Sequence, residues 1–83
     1  MKVLFFSSLR ETLDCAELTI PADGERLTTT ALLELLIRRG GDEWRDALMQ
    51  PNLVCAVNQA IVHGDQALAP DDEVAFFPPV TGG

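Results

Sequence analysis

Two strand-forming segments, one near each end of the chain, carry large apolar side chains at successive positions. Residues 3–6 are Val-Leu-Phe-Phe, and residues 74–77 are Val-Ala-Phe-Phe. Because successive side chains of a β-strand point to opposite faces of a sheet, both faces of each segment are apolar. Strands of this kind lie in the interior of a sheet. The first and last strands are therefore predicted to pair with each other, in parallel, at the centre of one sheet.

Two further segments are predicted to complete the sheet. Residues 17–20 alternate polar and apolar side chains, and Pro21 ends that strand. The link to the first strand is short, which predicts an antiparallel hairpin. Residues 53–62, LVCAVNQAIV, predict a second hairpin around Asn58–Gln59. Glutamine is a poor residue for a two-residue turn, so a longer turn is also open.

The middle of the chain changes to a helical period. Residues 28–41 predict a long helix, because five large apolar residues form one stripe there: Leu32, Leu33, Leu35, Leu36 and Ile37. A threonine among residues 28–30 can cap its start, and Gly40–Gly41 provides a left-handed stop. Residues 42–49 predict a short second helix, with Asp42 as a possible cap and one apolar face formed by Trp44, Ala47 and Leu48.

The order of these elements predicts an α+β fold. Two strands, a long helix, a short helix and two or three further strands give a mixed sheet with the long helix across one face. With the first and last strands parallel at its centre, this arrangement is the β-grasp. The chain has 83 residues without repeats or an internal linker, so a single domain over residues 1–83 is expected.

Charge and hydropathy exclude two classes of partner. The formal net charge is −7, from 13 acidic and 6 basic residues, and no basic stripe is present to neutralise nucleic-acid phosphates. The charge suits a basic protein partner, although solubility alone is a sufficient reason for it. No apolar run approaches the roughly 20 residues of a membrane span, and the N-terminal run is too short for a signal peptide. We therefore expect no nucleic acid, no membrane and a cytoplasmic location.

Side-chain chemistry is sparse. Cys15 and Cys55 form no CxxC pair and, with the single His63, give no metal-ligand set, so reduced, buried thiols are expected. Ser7–Ser8 has no neighbouring base, and the carboxylates of residues 71–73 are expected to be solvated in a turn. The sequence thus predicts no metal, no bound cofactor and no catalysis by ordinary side chains.

The sequence ends in FFPPVTGG, and this ending carries the one remaining reactive group. Prolines restrict the backbone φ angle, and glycines lack a Cβ, so Gly82 and Gly83 could enter a channel only as wide as a backbone. Fully extended, six residues reach about 20 Å. We therefore expect residues 78–83 to protrude as a tail that delivers the Gly83 carboxylate to a partner.

The carboxylate is unreactive until it is activated. Adenylation by ATP would make it an acyl donor. A sulfur nucleophile would then give a thiocarboxylate, whereas an amine would give an isopeptide bond. The residues themselves leave both outcomes open. They also leave open a third function, in which the chain is an interaction module and its tail is inert.

Three segments resemble a known family in order and spacing: KVLFFSSLRE, AVNQAIV and DDEVAFFPPVTGG. The family is the small subunit of molybdopterin synthase, a ubiquitin-like sulfur carrier. FFPPVTGG is the specific piece, since all ubiquitin-like carriers share GG and the related thiamine-pathway carrier usually lacks Phe-Pro-Pro. Asp71–Asp72 departs from the family's usual Gly-Asp and affects only the turn.

The resemblance implies a sulfur-transfer cycle. An enzyme resembling ubiquitin E1 uses ATP to adenylate Gly83, and a sulfurtransferase system makes the thiocarboxylate. The tail then enters the large synthase subunit and donates sulfur to a pyranopterin precursor, which forms the molybdopterin dithiolene. The implied complex is a heterotetramer of two small and two large subunits, with the catalytic side chains on the large subunit. The implied inserted arm consists of Pro78, Pro79, Val80, Thr81 and Gly82.

The resemblance also implies a partner-binding surface. Phe6, Ile61 and Phe77 match an apolar contact surface of the family, and Arg10 matches a polar contact beside it. Period-2 alternation puts Phe6 on the face of Leu4, and Phe77 on the face of Ala75. The alternative is that the three apolar residues belong to the core.

For the function of the tail, two alternatives remain. The chain could be a protein modifier that is joined to lysine amines, or a sulfur carrier of another pathway such as thiamine synthesis.

Overall fold

The computed structural model describes residues 1–21 and 27–78. The described residues form a five-stranded mixed sheet in the order β2-β1-β5-β3-β4, with three helices. In chain order the elements are β1 (Lys2–Phe5), α1 (Ser8–Leu13), β2 (Glu17–Thr19), α2 (Thr29–Gly40), α3 (Asp42–Leu48), β3 (Val54–Val57), β4 (Ala60–Val62) and β5 (Glu73–Phe77).

The first and last strands lie at the centre of the sheet, as predicted. β1 and β5 are parallel, and their register pairs Val3 with Val74 and Phe5 with Phe76. All four of these side chains are buried, because they face the helices. Paired residues of neighbouring strands point to the same side of a sheet, so this register also fixes which residues lie on the opposite side.

The connection between β1 and β2 differs from the prediction. The two strands are antiparallel, as expected, but α1 lies between them, so the fold has one helix more than predicted. The spacing of Leu9 and Leu13 by four residues places both on one helical face, and both are buried. Asp14 ends the helix with a φ of 51°.

The second hairpin has a two-residue turn, so the longer turn is wrong. Asn58 and Gln59 have φ values of 50° and 71°, as a type I′ turn requires. Asn58 is held in this conformation by the segment that precedes β5. Its amide nitrogen donates to an Asp72 carboxylate oxygen at 2.9 Å, and its amide oxygen accepts from the Glu73 backbone N–H at 3.0 Å.

Asp72 is also more than a solvated turn residue, contrary to the prediction for residues 71–73. Its carboxylate accepts a second hydrogen bond from the Ala69 backbone N–H at 2.7 Å. This backbone bond, and then the Asn58 amide, hold the pKa of Asp72 below its ordinary value. Asp72 therefore fastens the β3–β4 turn to the start of the central strand β5.

The long helix has the predicted boundaries and cap. The Thr28 hydroxyl accepts a hydrogen bond from the Ala31 N–H at 3.2 Å, and Gly41 follows the helix with a φ of 81°. The Asp65 carboxylate, from the loop before β5, also accepts from the Thr30 N–H at 2.9 Å. This backbone bond is the main reason that the pKa of Asp65 lies below its ordinary value.

The short helix α3 was predicted correctly, but its cap was not. α3 begins at Asp42 itself, Gly41 precedes it, and the helix has no side-chain cap. Gly40 is needed for packing, because a Cβ at that position would overlap the Trp44 ring. The close approach lets Trp44 meet Phe5 edge to face, with ring centroids 5.4 Å apart.

One core joins the helices to one face of the sheet. Leu32 and Leu36 of α2 are fully buried in the same cluster as Val3, Phe5 and Phe76 of the central strands. α1 and α3 contribute the remaining helical residues, which are Leu9, Leu13, Ala47 and Leu48. The helices lie on this side, which leaves the other face of the sheet for contacts of a different kind.

Candidate functional site

The face of the sheet opposite the core carries a continuous apolar surface. The register aligns Ala56 of β3 with Ala75 of β5 and with Ile61 of β4, and it aligns Val54 with Phe77. Together with Phe6 and the polar Gln59 and Glu73, these residues line a groove of about 530 Å³. We call this surface the open-face groove; it is lined by Phe6, Val54, Ala56, Gln59, Ile61, Glu73, Ala75 and Phe77.

The groove has small residues at its floor and large ones at its sides. Ala56 and Ala75 are buried, whereas Ile61 is 63% exposed and Phe6 is 39% exposed. Phe77 is half-buried. A contiguous apolar surface on an open sheet face is the kind of feature that favours the binding of another molecule.

Phe6 and Phe77 stack on each other at one end of the groove. Their ring centroids are 4.8 Å apart, and the ring planes differ by 7°. Phe6 lies just beyond the end of β1, and its N–H donates to the Phe76 carbonyl at 3.1 Å. The β1–β5 pairing thus extends far enough to place the two rings face to face, beside the end of the last strand.

Charged residues lie on the open face beyond the groove. Lys2 of β1 and Glu17 of β2 lie there, and their side chains form an ion pair at 3.8 Å. Both side chains are about half exposed, so the pair contributes little to stability. The ion pair lies at the β1–β2 side of the open face, on the far side of the central strand β5 from β3 and β4.

The structure brings together three of the residues that the sequence singled out. Phe6, Ile61 and Phe77 lie in the open-face groove, and the exposure of Phe6 and Ile61 excludes the core alternative for both. Arg10 is exposed on α1 and is not among the described residues that line the groove. That any of these residues binds a partner stays a prediction.

The tail lies mostly outside the described residues. β5 ends at Phe77, and Pro78 is half-buried next to it. Pro79, Val80, Thr81, Gly82 and Gly83 fall outside the described part of the chain. Their roles in insertion and sulfur transfer therefore stay predictions, and so does the protrusion of residues 78–83.

Sequence reasoning missed most of the groove's floor and rim. Val54, Ala56 and Gln59 were assigned only to a hairpin, and Glu73 only to the turn that leads into the last strand. Alternation along residues 54–57 would have separated Val54 and Ala56 from Cys55 and Val57. The β3–β5 register decides which of the two faces is open, and no local sequence pattern predicts that register.

The remaining reactive side chains offer little chemistry. Cys15 and Cys55 are free thiols, but both are half-buried, so the prediction of full burial is wrong. Partial burial raises the pKa of the Cys55 thiol to about 11, which keeps it protonated and unreactive at neutral pH. Among residues 1–21 and 27–78, no three His, Cys, Asp or Glu residues are grouped to hold a metal ion. No helix in the same ranges is long and apolar enough to cross a membrane.

Comparison with known proteins gives matches over nearly the whole chain. The model of the ThiS family matches residues 3–83. Two relatives are each named molybdopterin synthase sulfur carrier subunit. The one from Escherichia coli (strain K12) is 42% identical, and the one from Haemophilus influenzae (strain ATCC 51907 / DSM 11121 / KW20 / Rd) is 39% identical. Each alignment covers 100% of this chain and 99% of the relative.

Two solved structures share the fold. The crystal structure of SAMP1 from Haloferax volcanii superimposes with a TM-score of 0.74 and 26% identity, over 99% of this chain and 97% of that one. The solution structure of the Haloferax volcanii HVO 2177 protein gives a TM-score of 0.68 and 24% identity, over 99% and 84% of the two chains. At that identity the second likeness supports the fold alone.

Proposed function

The chain belongs to the ThiS family, and from this membership we propose that it acts as the sulfur carrier subunit of a molybdopterin synthase. The observation that carries the proposal is the full-length identity of 42% to a relative of that name. The ending FFPPVTGG and the open-face groove beside its first residues both suit a carrier that docks and extends a tail.

In the proposed cycle, the Gly83 carboxylate is activated before it carries sulfur. A carboxylate oxygen attacks the α-phosphorus of ATP, pyrophosphate leaves, and an acyl adenylate forms. A hydrosulfide equivalent then attacks the acyl carbon, AMP leaves, and a thiocarboxylate remains. An E1-like enzyme would bind the ATP, so this chain needs no bound cofactor of its own. Because the cycle consumes ATP, we expect it to run in the cytoplasm.

Sulfur transfer would regenerate the carrier. The thiocarboxylate sulfur attacks a carbon of the pyranopterin precursor and displaces an oxygen substituent from it, so that a C–O bond breaks as the C–S bond forms and the sulfur joins the precursor to the acyl carbon of Gly83. Water then attacks the acyl carbon, the acyl C–S bond breaks, and the Gly83 carboxylate is restored. Each cycle delivers one sulfur atom, so a dithiolene requires two loaded carriers. The glycines at positions 82 and 83 suit a narrow channel, because neither has a Cβ.

The catalytic side chains are expected on the large subunit. Partial burial keeps the Cys55 thiol protonated, and the described His, Cys, Asp and Glu residues form no group that could hold a metal ion. The open-face groove is the surface that we assign to the large subunit, with Phe6, Ile61 and Phe77 in contact and Arg10 beside it. We expect two small and two large subunits in the complex.

Reconstitution tests the proposal. The chain carrying a Gly83 thiocarboxylate is mixed with the large subunit and the pyranopterin precursor, and dithiolene formation is followed. The expected product requires two loaded carriers per precursor, and a chain lacking Gly82–Gly83 gives none while it still folds. The proposal fails if the loaded carrier yields no product with a large subunit that is active with another carrier. Transfer of Gly83 to lysine amines instead would identify a protein modifier.

A further inference from the structure

We propose that the Phe6–Phe77 stack positions the tail by fixing the direction in which the chain leaves the sheet at Pro78. This inference rests on the proposed function as a sulfur carrier. It gives the stack a role within the chain that differs from contact with the large subunit. Phe6 and Phe77 are then positioning residues for the transfer of sulfur from Gly83.

The geometry around Phe77 supports this role. Phe77 is the last residue of β5, and Val54 of β3 is its register partner on one side. On the other side, the Phe6 ring lies parallel to the Phe77 ring at 4.8 Å. The Phe6 N–H also donates to the carbonyl of Phe76 at 3.1 Å, so the backbone next to Phe77 is held as well. Both flanks of the strand end are thus fixed just before Pro78.

Phe6 is the last residue on the β1 side that can make this contact. β1 ends at Phe5, and Ser7 takes a φ of 56°, which turns the chain toward α1. A side chain that is 39% exposed is not required by the core. The parallel stacking, in contrast, requires a planar ring at this position, since an aliphatic side chain cannot lie flat against Phe77.

Control of direction at Pro78 matters because the tail is long. Residues 78–83 can reach about 20 Å at full extension, so a tilt of about 10° at the root would move the tip of a tail docked in an extended form by roughly 3.5 Å. A misplacement of only about 1 Å can reduce a reaction rate on the order of 100-fold. A fixed root therefore raises the fraction of docked carriers whose sulfur reaches the acceptor.

Single-turnover kinetics separate positioning from contact. Thiocarboxylated variants are mixed with saturating precursor and a series of large-subunit concentrations, which gives both the saturated rate and the half-saturating concentration of the large subunit. Phe6→Leu keeps an apolar side chain but loses the stack, and we expect its saturated rate to fall by about 10-fold or more. Phe6→Tyr restores a flat ring and should restore most of the rate.

Ile61→Ala is the matched contact variant. Ile61 lies in the same groove but is not part of the stack, so it should act mainly on the half-saturating concentration. If Phe6→Leu also changes only the half-saturating concentration, Phe6 is a contact residue and the positioning role is wrong. If the unmodified chain transfers no sulfur, the proposed function fails and this inference fails with it.

A structural measurement on the free chain tests the stack independently of sulfur transfer. Residual dipolar couplings report the orientation of the Phe76 and Phe77 N–H bonds relative to the rest of the sheet. Phe6→Leu should change the Phe77 coupling and leave those of β3 unchanged, with a urea midpoint close to that of the unmodified chain. An unchanged Phe77 coupling would show that the stack does not orient the strand end.

Discussion

Replacing Ile61 with alanine tests whether the open-face groove binds the large subunit. Complete burial of an isoleucine side chain contributes about 1.5–3 kcal/mol. Ile61 is 63% exposed in the free chain, so docking can bury at most about two thirds of the residue's surface. The variant should therefore weaken docking by about 1–2 kcal/mol, which corresponds to a Kd roughly 5- to 30-fold higher.

Isothermal titration of the large subunit with each variant measures this change. Met49→Ala is the matched control, because Met49 is 66% exposed and lies outside the open-face groove. Its Kd should stay within about two-fold of the unmodified chain. Both substitutions are at exposed positions, so each should change the free energy of unfolding by no more than about 0.5 kcal/mol.

Two results would refute the reasoning. The Kd of Ile61→Ala could remain within about two-fold of the unmodified chain, a change of less than ~0.5 kcal/mol, which would mean that docking leaves Ile61 in water. Alternatively, Met49→Ala could weaken binding as much as Ile61→Ala. That would mean that the large subunit binds another surface of the chain, or that its affinity does not depend on which exposed apolar residue is replaced.

Two further changes test the packing and the loop contacts. Gly40→Ala should destabilise the fold by about 1–3 kcal/mol, although alanine favours helices, because the new Cβ meets the Trp44 ring. The chain has one tryptophan and no tyrosine, so Trp44 emission during urea unfolding reports the loss of stability directly. A Gly40→Ala variant that is more stable and has unchanged Trp44 emission would contradict the predicted clash. Acid should weaken the fold through Asp72, whose pKa in the folded chain lies below its ordinary value near ~3.9. This contribution is complete well above that ordinary value and is lost as the pH falls through the folded pKa. Asp72→Asn should therefore flatten the pH dependence of the urea midpoint between about pH 5 and 3, and an unchanged slope would exclude the contribution.

The sequence predicted the elements whose pattern is strong and local. β1 and β5 each carry apolar side chains on both faces, which is enough to place them at the centre of the sheet. α2 combines a wide apolar stripe, a threonine cap and a glycine with positive φ, and its boundaries were predicted closely. In each case local propensity and burial favour the same structure.

The features that were missed depend on contacts distant in sequence. α1 has six residues, too few to be stable alone, and it is held by the burial of Leu9 and Leu13. The two-residue turn at Asn58–Gln59 was predicted together with a longer alternative, and the hydrogen bond that supports it joins Asn58 to Asp72, fourteen residues away. The stack of Phe6 on Phe77 depends on the parallel register of the first and last strands. Alternation gave the correct face for each ring, but only the assembled sheet brings the two together.

The most direct test of the sulfur-carrier function is the intact mass of the chain after incubation with its activating enzyme, ATP and a sulfur donor. The expected result is a gain equal to the exchange of one oxygen for one sulfur. The gain should require ATP and should be absent from a variant that lacks Gly83. No gain with an enzyme that activates another carrier, or a gain that persists without Gly83, would contradict the assignment of Gly83 as the sulfur-bearing residue.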